Sequence, residues 1–275
     1  VSTEEEGPRR ALTVRDFLEM KAEGSPIVAL TAYDVLFAGL VEKAGIDFIL
    51  VGDSLGQVVL GHPSTLPVTV EDMIRHAAAV RRGAPDSFIV VDMPFLSYQV
   101  SVEDTVRNAG RIMKETGVQA VKLEGGNRRV LDAIEALVAV GIPVMGHLGL
   151  TPQSVHALGG YRVQGRDPLS AEDLKERARA LEASGVFSIV LELVPGTLAG
   201  EISRSLDVPT IGIGAGPECD GQVLVLYDAL GLNAEFQPRF LKRFAEIHEA
   251  ALDGVRDYVR EVRERSYPGP EHTFS

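Results

Sequence analysis

Cysteine is nearly absent from this 275-residue chain, with Cys219 standing alone. A single thiol excludes an intrachain disulfide framework and a multi-thiolate metal site, and it fits a reducing cytosol. Basic charge is also scarce: 27 Lys and Arg face 39 Asp and Glu, for a formal net charge of −12. That balance argues against a nucleic-acid or anionic-membrane partner, either of which calls for a basic face. It leaves the charge of a small-molecule substrate open, because the local field at a site can oppose the net charge. No apolar run is long enough to span a membrane and no signal-peptide pattern is found, so a cytoplasmic protein is expected. A Pro/Gly/Ser-rich linker is missing too, and one domain over residues 1–275 is expected.

What is present is ordinary in amount, 45% apolar and 24% charged, and telling in arrangement. Short apolar runs recur at Ile27–Leu30, Phe48–Val51, Phe88–Val91, Ala120–Leu123, Pro143–Met145, Phe187–Leu191, Thr210–Ile213 and Val223–Leu226. Most are rich in Val and Ile and continuous rather than alternating, as strands buried on both faces of a parallel sheet are. Between them lie helical signals. Ser101-Val-Glu-Asp104 and Ser170-Ala-Glu-Asp173 resemble capping boxes, and Gly83, Gly117, Gly141 and Gly185 follow helical stretches as left-handed terminators. The alternation predicts an α/β fold, a (β/α)8 TIM barrel. An extra helix from the N-cap Thr13 towards Gly24 lies in an N-terminal extension of about residues 1–25, and a C-terminal helix and tail occupy about 236–275, with Pro238–Arg265 helical throughout. One stretch breaks the rhythm: Gly214–Gly221 is too short for a full helical crossover, which needs about a dozen residues. Either that connection is a bare loop, or Gly221–Leu230 is a helix and the eighth strand lies elsewhere.

The residues that follow each run carry the chemistry. Tyr33-Asp34, Gly52-Asp53-Ser54, Asp92, Lys122-Leu-Glu124, His147 and Glu192 close the first six runs in turn. Barrel active sites are built at the C-terminal strand ends, so these groups are expected to converge on one mouth. For any single carboxylate, capping the next helix is an equal explanation; for so many at one point of successive units it is a poor one. Lys122 and Glu124 are two apart and share a strand face, either as lining of the mouth or as members of a structural ion pair. Hard oxygen donors such as Asp53 and Asp92 suit Mg²⁺ better than a transition metal. His147 reads equally well as a ligand contact or a satisfied strand-end histidine, and Gly212-Ile-Gly-Ala-Gly216 matches no complete phosphate-loop pattern.

Longer strings are more specific. Val51-Gly-Asp-Ser-Leu-Gly56, Ser64-Thr-Leu-Pro-Val-Thr69, Asp92-Met-Pro-Phe95, Val121-Lys-Leu-Glu-Gly-Gly126 and Met145-Gly-His-Leu-Gly-Leu-Thr-Pro-Gln153 resemble ketopantoate hydroxymethyltransferases. So do Gly159-Gly-Tyr161, Gly212–Gly216 and Asp220-Gly-Gln-Val-Leu-Val225, in an ordered set from about Thr13 to His272-Thr-Phe274. Departures are local: Gln57 where methionine is common, His62-Pro63 where an aromatic-Asp or His-Asp pair is usual, and Leu193 where cysteine is frequent.

The resemblance implies a barrel of the phosphoenolpyruvate/pyruvate type and a homodecamer in pantothenate and coenzyme A biosynthesis. It implies Mg²⁺ dependence and transfer of a hydroxymethyl group from 5,10-methylenetetrahydrofolate to 3-methyl-2-oxobutanoate. Position by position, it implies Asp53 and Asp92 as metal ligands that also meet the 2-oxo acid, Glu124 as a third ligand directly or through water, Ser54 and Lys122 as 2-oxo acid contacts, and Glu192 as the proton acceptor. The loop around Gln57–Leu66 is a candidate cover. Two other readings stay open on the residues alone: another Mg²⁺-dependent lyase or mutase of this superfold, and a catalytically silent barrel used for binding.

Overall fold

The computed structural model of the chain describes residues 10–274. They divide after Val225 into two compact units. The first unit carries helix α1 (Val14–Glu23) and then strands and helices in alternation: β1 (Ile27–Thr31), α2 (Val35–Lys43), β2 (Phe48–Val51), the single-turn α3 (Leu55–Val58), α4 (Val70–Gly83) and β3 (Phe88–Asp92). It continues with α5 (Val102–Thr116), β4 (Ala120–Glu124), α6 (Arg128–Ala139), β5 (Val144–Gly149), α7 (Pro168–Ala183), β6 (Ser188–Glu192), α8 (Gly196–Ser205), β7 (Thr210–Ile213) and β8 (Gly221–Leu224). All strands are parallel, and β8 pairs with β1 to close the barrel in chain order.

Alternation along each strand divides its residues between the barrel interior and the helices outside. On the inner face the N-terminal half is apolar: Phe48, Leu50, Phe88, Val90, Ala120, Met145 and Val190 belong to one buried cluster. Two residues further along the same faces stand Asp92, Lys122, His147 and Glu192, with Glu124 two beyond Lys122. The polar strand ends therefore sit directly above a hydrocarbon floor.

Helix α1 plugs the opposite end. The Phe17 ring lies 5.8 Å from Phe48 and 5.0 Å from Phe88, both edge-on, and 6.0 Å from Phe187. Burying such a ring is worth about 1.5–3 kcal/mol. Asp16 anchors the first turn by accepting from Thr13 N–H at 2.6 Å and by pairing with Arg10. Near the other end of α1, Lys21 Nζ reaches Asp220 Oδ2 at 2.9 Å and the Ser203 carbonyl at 2.8 Å.

The structure corrects several boundaries. The seventh connection is the bare loop, and β8 runs Gly221–Leu224, two residues earlier than the apolar run Val223–Leu226. β5 extends to Gly149, well past Met145. α7 starts at Pro168 behind Asp167, whose carboxylate accepts from Ser170 N–H, so Ser170 lies within the first turn rather than capping it. Gly83 is the last residue of α4, and a Cβ there would lie 2.2 Å from the Val35 carbonyl oxygen, so close helix packing rather than a left-handed cap requires the glycine.

The second unit holds the short helix α9 (Leu226–Ala229) and helix α10 (Ile247–Glu264). Residues 238–246 are not helical: Phe244 N–H and Ile247 N–H bond to the carbonyls of Ala229 and Leu230, and Arg243 binds the Asn233 and Ala234 carbonyls. Backbone groups used this way are withdrawn from a local helix.

Candidate active site

Every strand-end group expected at the mouth is there, with one exception of role. Asp34 caps α2, accepting from Leu36 N–H at 2.8 Å and Phe37 N–H at 3.0 Å. Asp53, just past β2, donates its backbone N–H to Asp92 Oδ2 at 3.0 Å. Lys122 Nζ lies 3.0 Å from Asp92 Oδ1 and 3.0 Å from His147 Nδ1. His147 in turn lies 3.5 Å from Glu124 Oε1 through Nδ1 and 3.3 Å from Glu192 Oε2 through Nε2. Ser54 Oγ is 2.8 Å from Tyr33 Oη.

Two further residues tie these groups together. Gln153, in the 3-10 turn after β5, donates Nε2–H to Asp53 Oδ2 at 2.9 Å and to the Met93 carbonyl at 2.9 Å, and its backbone N–H to Glu124 Oε2 at 3.0 Å. Tyr98 donates its hydroxyl to Gln153 Oε1 at 2.8 Å and accepts from Glu124 N–H at 3.1 Å. At the lip, Gln57 Nε2–H donates to Tyr161 Oη at 3.3 Å. Their loops follow β2 and β5, which are not neighbours in the barrel, so this contact spans the mouth.

Three buried carboxylates, Asp53, Asp92 and Glu124, face one buried ammonium, Lys122. Burial, then the charges of Asp92 and Glu124, pushes Asp53 well above its ordinary carboxylate range. Asp92 is raised as well, by burial that Lys122 only partly offsets. Burial would also raise Glu124, but hydrogen bonding and charge from His147, together with Lys122 and Gln153 N–H, bring it down. Lys122 is held above its ordinary value because Asp92, Glu124 and Asp53 outweigh burial. The cluster thus has an excess of buried negative charge, which a divalent cation would neutralise. Asp92 Oδ1, although close to Lys122, accepts no well-directed hydrogen bond. Among the described residues no three His, Cys, Asp or Glu side chains form a ready-made metal cage.

The family model described as ketopantoate hydroxymethyltransferase matches residues 11–270. A 3-methyl-2-oxobutanoate hydroxymethyltransferase of Pseudothermotoga lettingae is 56% identical over 263 residues, 96% of this chain and 98% of the relative. One of Syntrophotalea carbinolica is 54% identical over 263 residues, again 96% of this chain and 98% of the relative. The chain belongs to the ketopantoate hydroxymethyltransferase family.

The hydroxymethyltransferase barrel is also similar to solved structures at far lower identity, which speak to the fold alone. A phosphonopyruvate hydrolase in complex with oxalate and Mg²⁺ matches with TM-score 0.62 and 13% identity, over 94% of this chain and 92% of that one. A 2,3-dimethylmalate lyase of the PEP mutase/isocitrate lyase superfamily matches with TM-score 0.60 and 18% identity, over 95% and 91%. The closed (β/α)8 barrel expected from the sequence is the observed fold. No helix among the described residues is long and apolar enough to cross a membrane.

No strand-end pattern marks Gln153 or Tyr98, since both lie in βα connections and neither is acidic. The signal for Gln153 was its place at the end of the Met145–Gln153 string; Tyr98 had none.

Proposed function

We propose that this hydroxymethyltransferase moves the one-carbon unit of 5,10-methylenetetrahydrofolate to 3-methyl-2-oxobutanoate, giving 2-dehydropantoate and tetrahydrofolate. The acceptor and the group moved are those in the relatives' name. The observation that carries the reading to particular residues is the convergence of Asp53, Asp92, Lys122, Glu124 and Glu192 around His147 at one end of the barrel.

Asp53 and Asp92 would hold Mg²⁺, and Glu124 would support it through water, because both its oxygens already face protein groups, Gln153 N–H and His147. The same fold carries Mg²⁺ and oxalate in the phosphonopyruvate hydrolase complex. When bound, Mg²⁺ supplies Lewis acidity that stabilises negative charge developing on the 2-oxo acid. Lys122 offsets the acid's own charge, and Ser54 offers its hydroxyl to it. Glu192 removes the proton from C3, a step worth roughly 10²–10⁴-fold when the base is well placed. Water cleaves the two C–N bonds of the methylene carbon, releasing it at the formaldehyde level with tetrahydrofolate; the enolate carbon bonds to it, and the water's oxygen, protonated by Glu192, becomes the new hydroxyl. The Gln57–Tyr161 contact restrains two loops over the mouth and limits competing water.

Under this reading the reaction serves pantothenate and coenzyme A biosynthesis in the cytoplasm, by a homodecamer. Incubation with both substrates and Mg²⁺ is expected to yield 2-dehydropantoate by mass spectrometry, and chelation to abolish it. No folate-dependent product with Mg²⁺ present would overturn the reading.

A further inference from the structure

His147 lies at the centre of the cluster and is 2% exposed. Its ring is held from both sides. Lys122, ion-paired with Asp92, has only protons to offer, so in the neutral ring the Nδ1 nitrogen, 3.0 Å from its Nζ, is the acceptor, whereas in a cationic ring Nδ1–H faces Glu124 Oε1 at 3.5 Å. The neutral ring then carries its proton on Nε2, and a cationic ring carries one there too. In either state an N–H faces Glu192 Oε2 at 3.3 Å.

Local backbone directs the two side chains towards each other. Gly149 pairs with Glu192 across β5 and β6, and a Cβ at Gly149 would lie 2.1 Å from the Glu192 carbonyl oxygen. Only a bare backbone lets the end of β6 approach this closely. The next residue, Leu193, adopts φ 47°, a left-handed conformation that is costly for a branched side chain. A strained residue beside an acid at a strand end is a recurring mark of a functional constraint. His147 Nε2 has no well-directed hydrogen bond in this structure, and no hydrogen bond to Glu192 Oε1 is seen among the described residues. The donor is buried and already beside Oε2, and catalytic hydrogen bonds of this kind align when substrate binds.

We propose that His147 is a positioning residue that donates Nε2–H to Glu192 Oε2 and so leaves Oε1 as the oxygen that meets the substrate C–H. Lys122 has a second task here, fixing the tautomer of the ring that aims the base. This inference rests on the reading of Glu192 as proton acceptor.

The test is exchange of the C3 proton of 3-methyl-2-oxobutanoate in D₂O, with Mg²⁺ and without folate. His147→Leu is expected to lower the exchange kcat by about 10–100-fold, as loss of an orienting partner does, with KM for the acid little changed. His147→Gln, whose amide reaches the Nε2 position, is expected to recover most of the rate; His147→Asn, which reaches only Nδ1, is not. In the Glu192→Gln background His147→Leu is expected to add no further loss, because the two act as one unit. Multiplying losses, an effect on KM alone, or equal rates for the Gln and Asn variants would overturn the proposal. The Gln and Asn pair decides the matter if the Leu variant does not fold. A wild-type enzyme that neither exchanges the proton nor forms product would instead remove the reading beneath it.

Discussion

Gln153 donates its side-chain amide to Asp53 Oδ2 at 2.9 Å, although the two lie 100 residues apart in the chain. With its backbone N–H on Glu124 and its side-chain Oε1 held by Tyr98, Gln153 fixes two of the acids from one turn.

Gln153→Ala removes that brace. Loss of a partner that orients a ligand typically weakens metal binding by about 10–100-fold, and the Mg²⁺ concentration for half-maximal activity is expected to rise by that factor. An unchanged Mg²⁺ titration would separate Gln153 from metal binding.

Asp53→Asn is expected to trade function for stability. The Asp53 carboxylate is buried against Asp92 and Glu124, and a neutral amide of the same shape escapes that repulsion. The metal-free variant should melt higher than wild type, by about 2–4 °C for each kcal/mol relieved. The further rise that Mg²⁺ gives wild type should vanish. Thermal melts with and without Mg²⁺ check both, and a variant still stabilised by Mg²⁺ would exclude Asp53 as a ligand.

Tyr161→Phe breaks the contact with Gln57 at the lip. A hydrogen bond of this kind contributes about 0.5–1.5 kcal/mol, or about 2–12-fold in retention of the acid. KM for 3-methyl-2-oxobutanoate is expected to rise within that range while the exchange kcat holds. A fall in kcat with KM unchanged would assign Tyr161 to the chemistry instead of the cover.

Much of the fold was legible because the two periodicities are clean. β2 and β7 match their apolar runs residue for residue, and the N-cap Thr13 and the glycine stop at Gly24 frame α1. The acids were legible because a barrel places strand ends together whatever lies between them. Other features depend on tertiary partners. The break in helix at 238–246 is set by carbonyls of Ala229, Asn233 and Ala234, which local sequence does not reveal. Tyr98 and Gln153 belong to loops, where no period marks an inward side chain. His147 is ambiguous in sequence because a strand-end histidine reads the same whether it contacts a ligand or is held by Lys122, Glu124 and Glu192.

The plug of the barrel has a pH-dependent part. Hydrogen bonds from Arg10 and Thr13 push Asp16 below its ordinary value. A carboxyl depressed on folding binds fewer protons folded than unfolded, so its contribution is full above the unfolded pKa and is lost as pH falls towards the folded one. Asp16→Asn is expected to destabilise by up to about 1 kcal/mol at neutral pH, with the difference from wild type shrinking below about pH 4. Denaturant melts across pH check this; a penalty that grows on acidification would contradict it.

On the proposed function, Glu192 takes a proton from the 2-oxo acid at a site that Asp53 and Asp92 keep loaded with Mg²⁺. The most direct measurement is the NMR-followed loss of the C3 proton of 3-methyl-2-oxobutanoate in D₂O with wild type and Glu192→Gln, alongside Mg²⁺ binding to both. Mg²⁺-dependent exchange by wild type, a loss of roughly 10²–10⁴-fold in the variant, and equal Mg²⁺ affinity in the two are expected. Exchange at the wild-type rate by Glu192→Gln would contradict that role for Glu192.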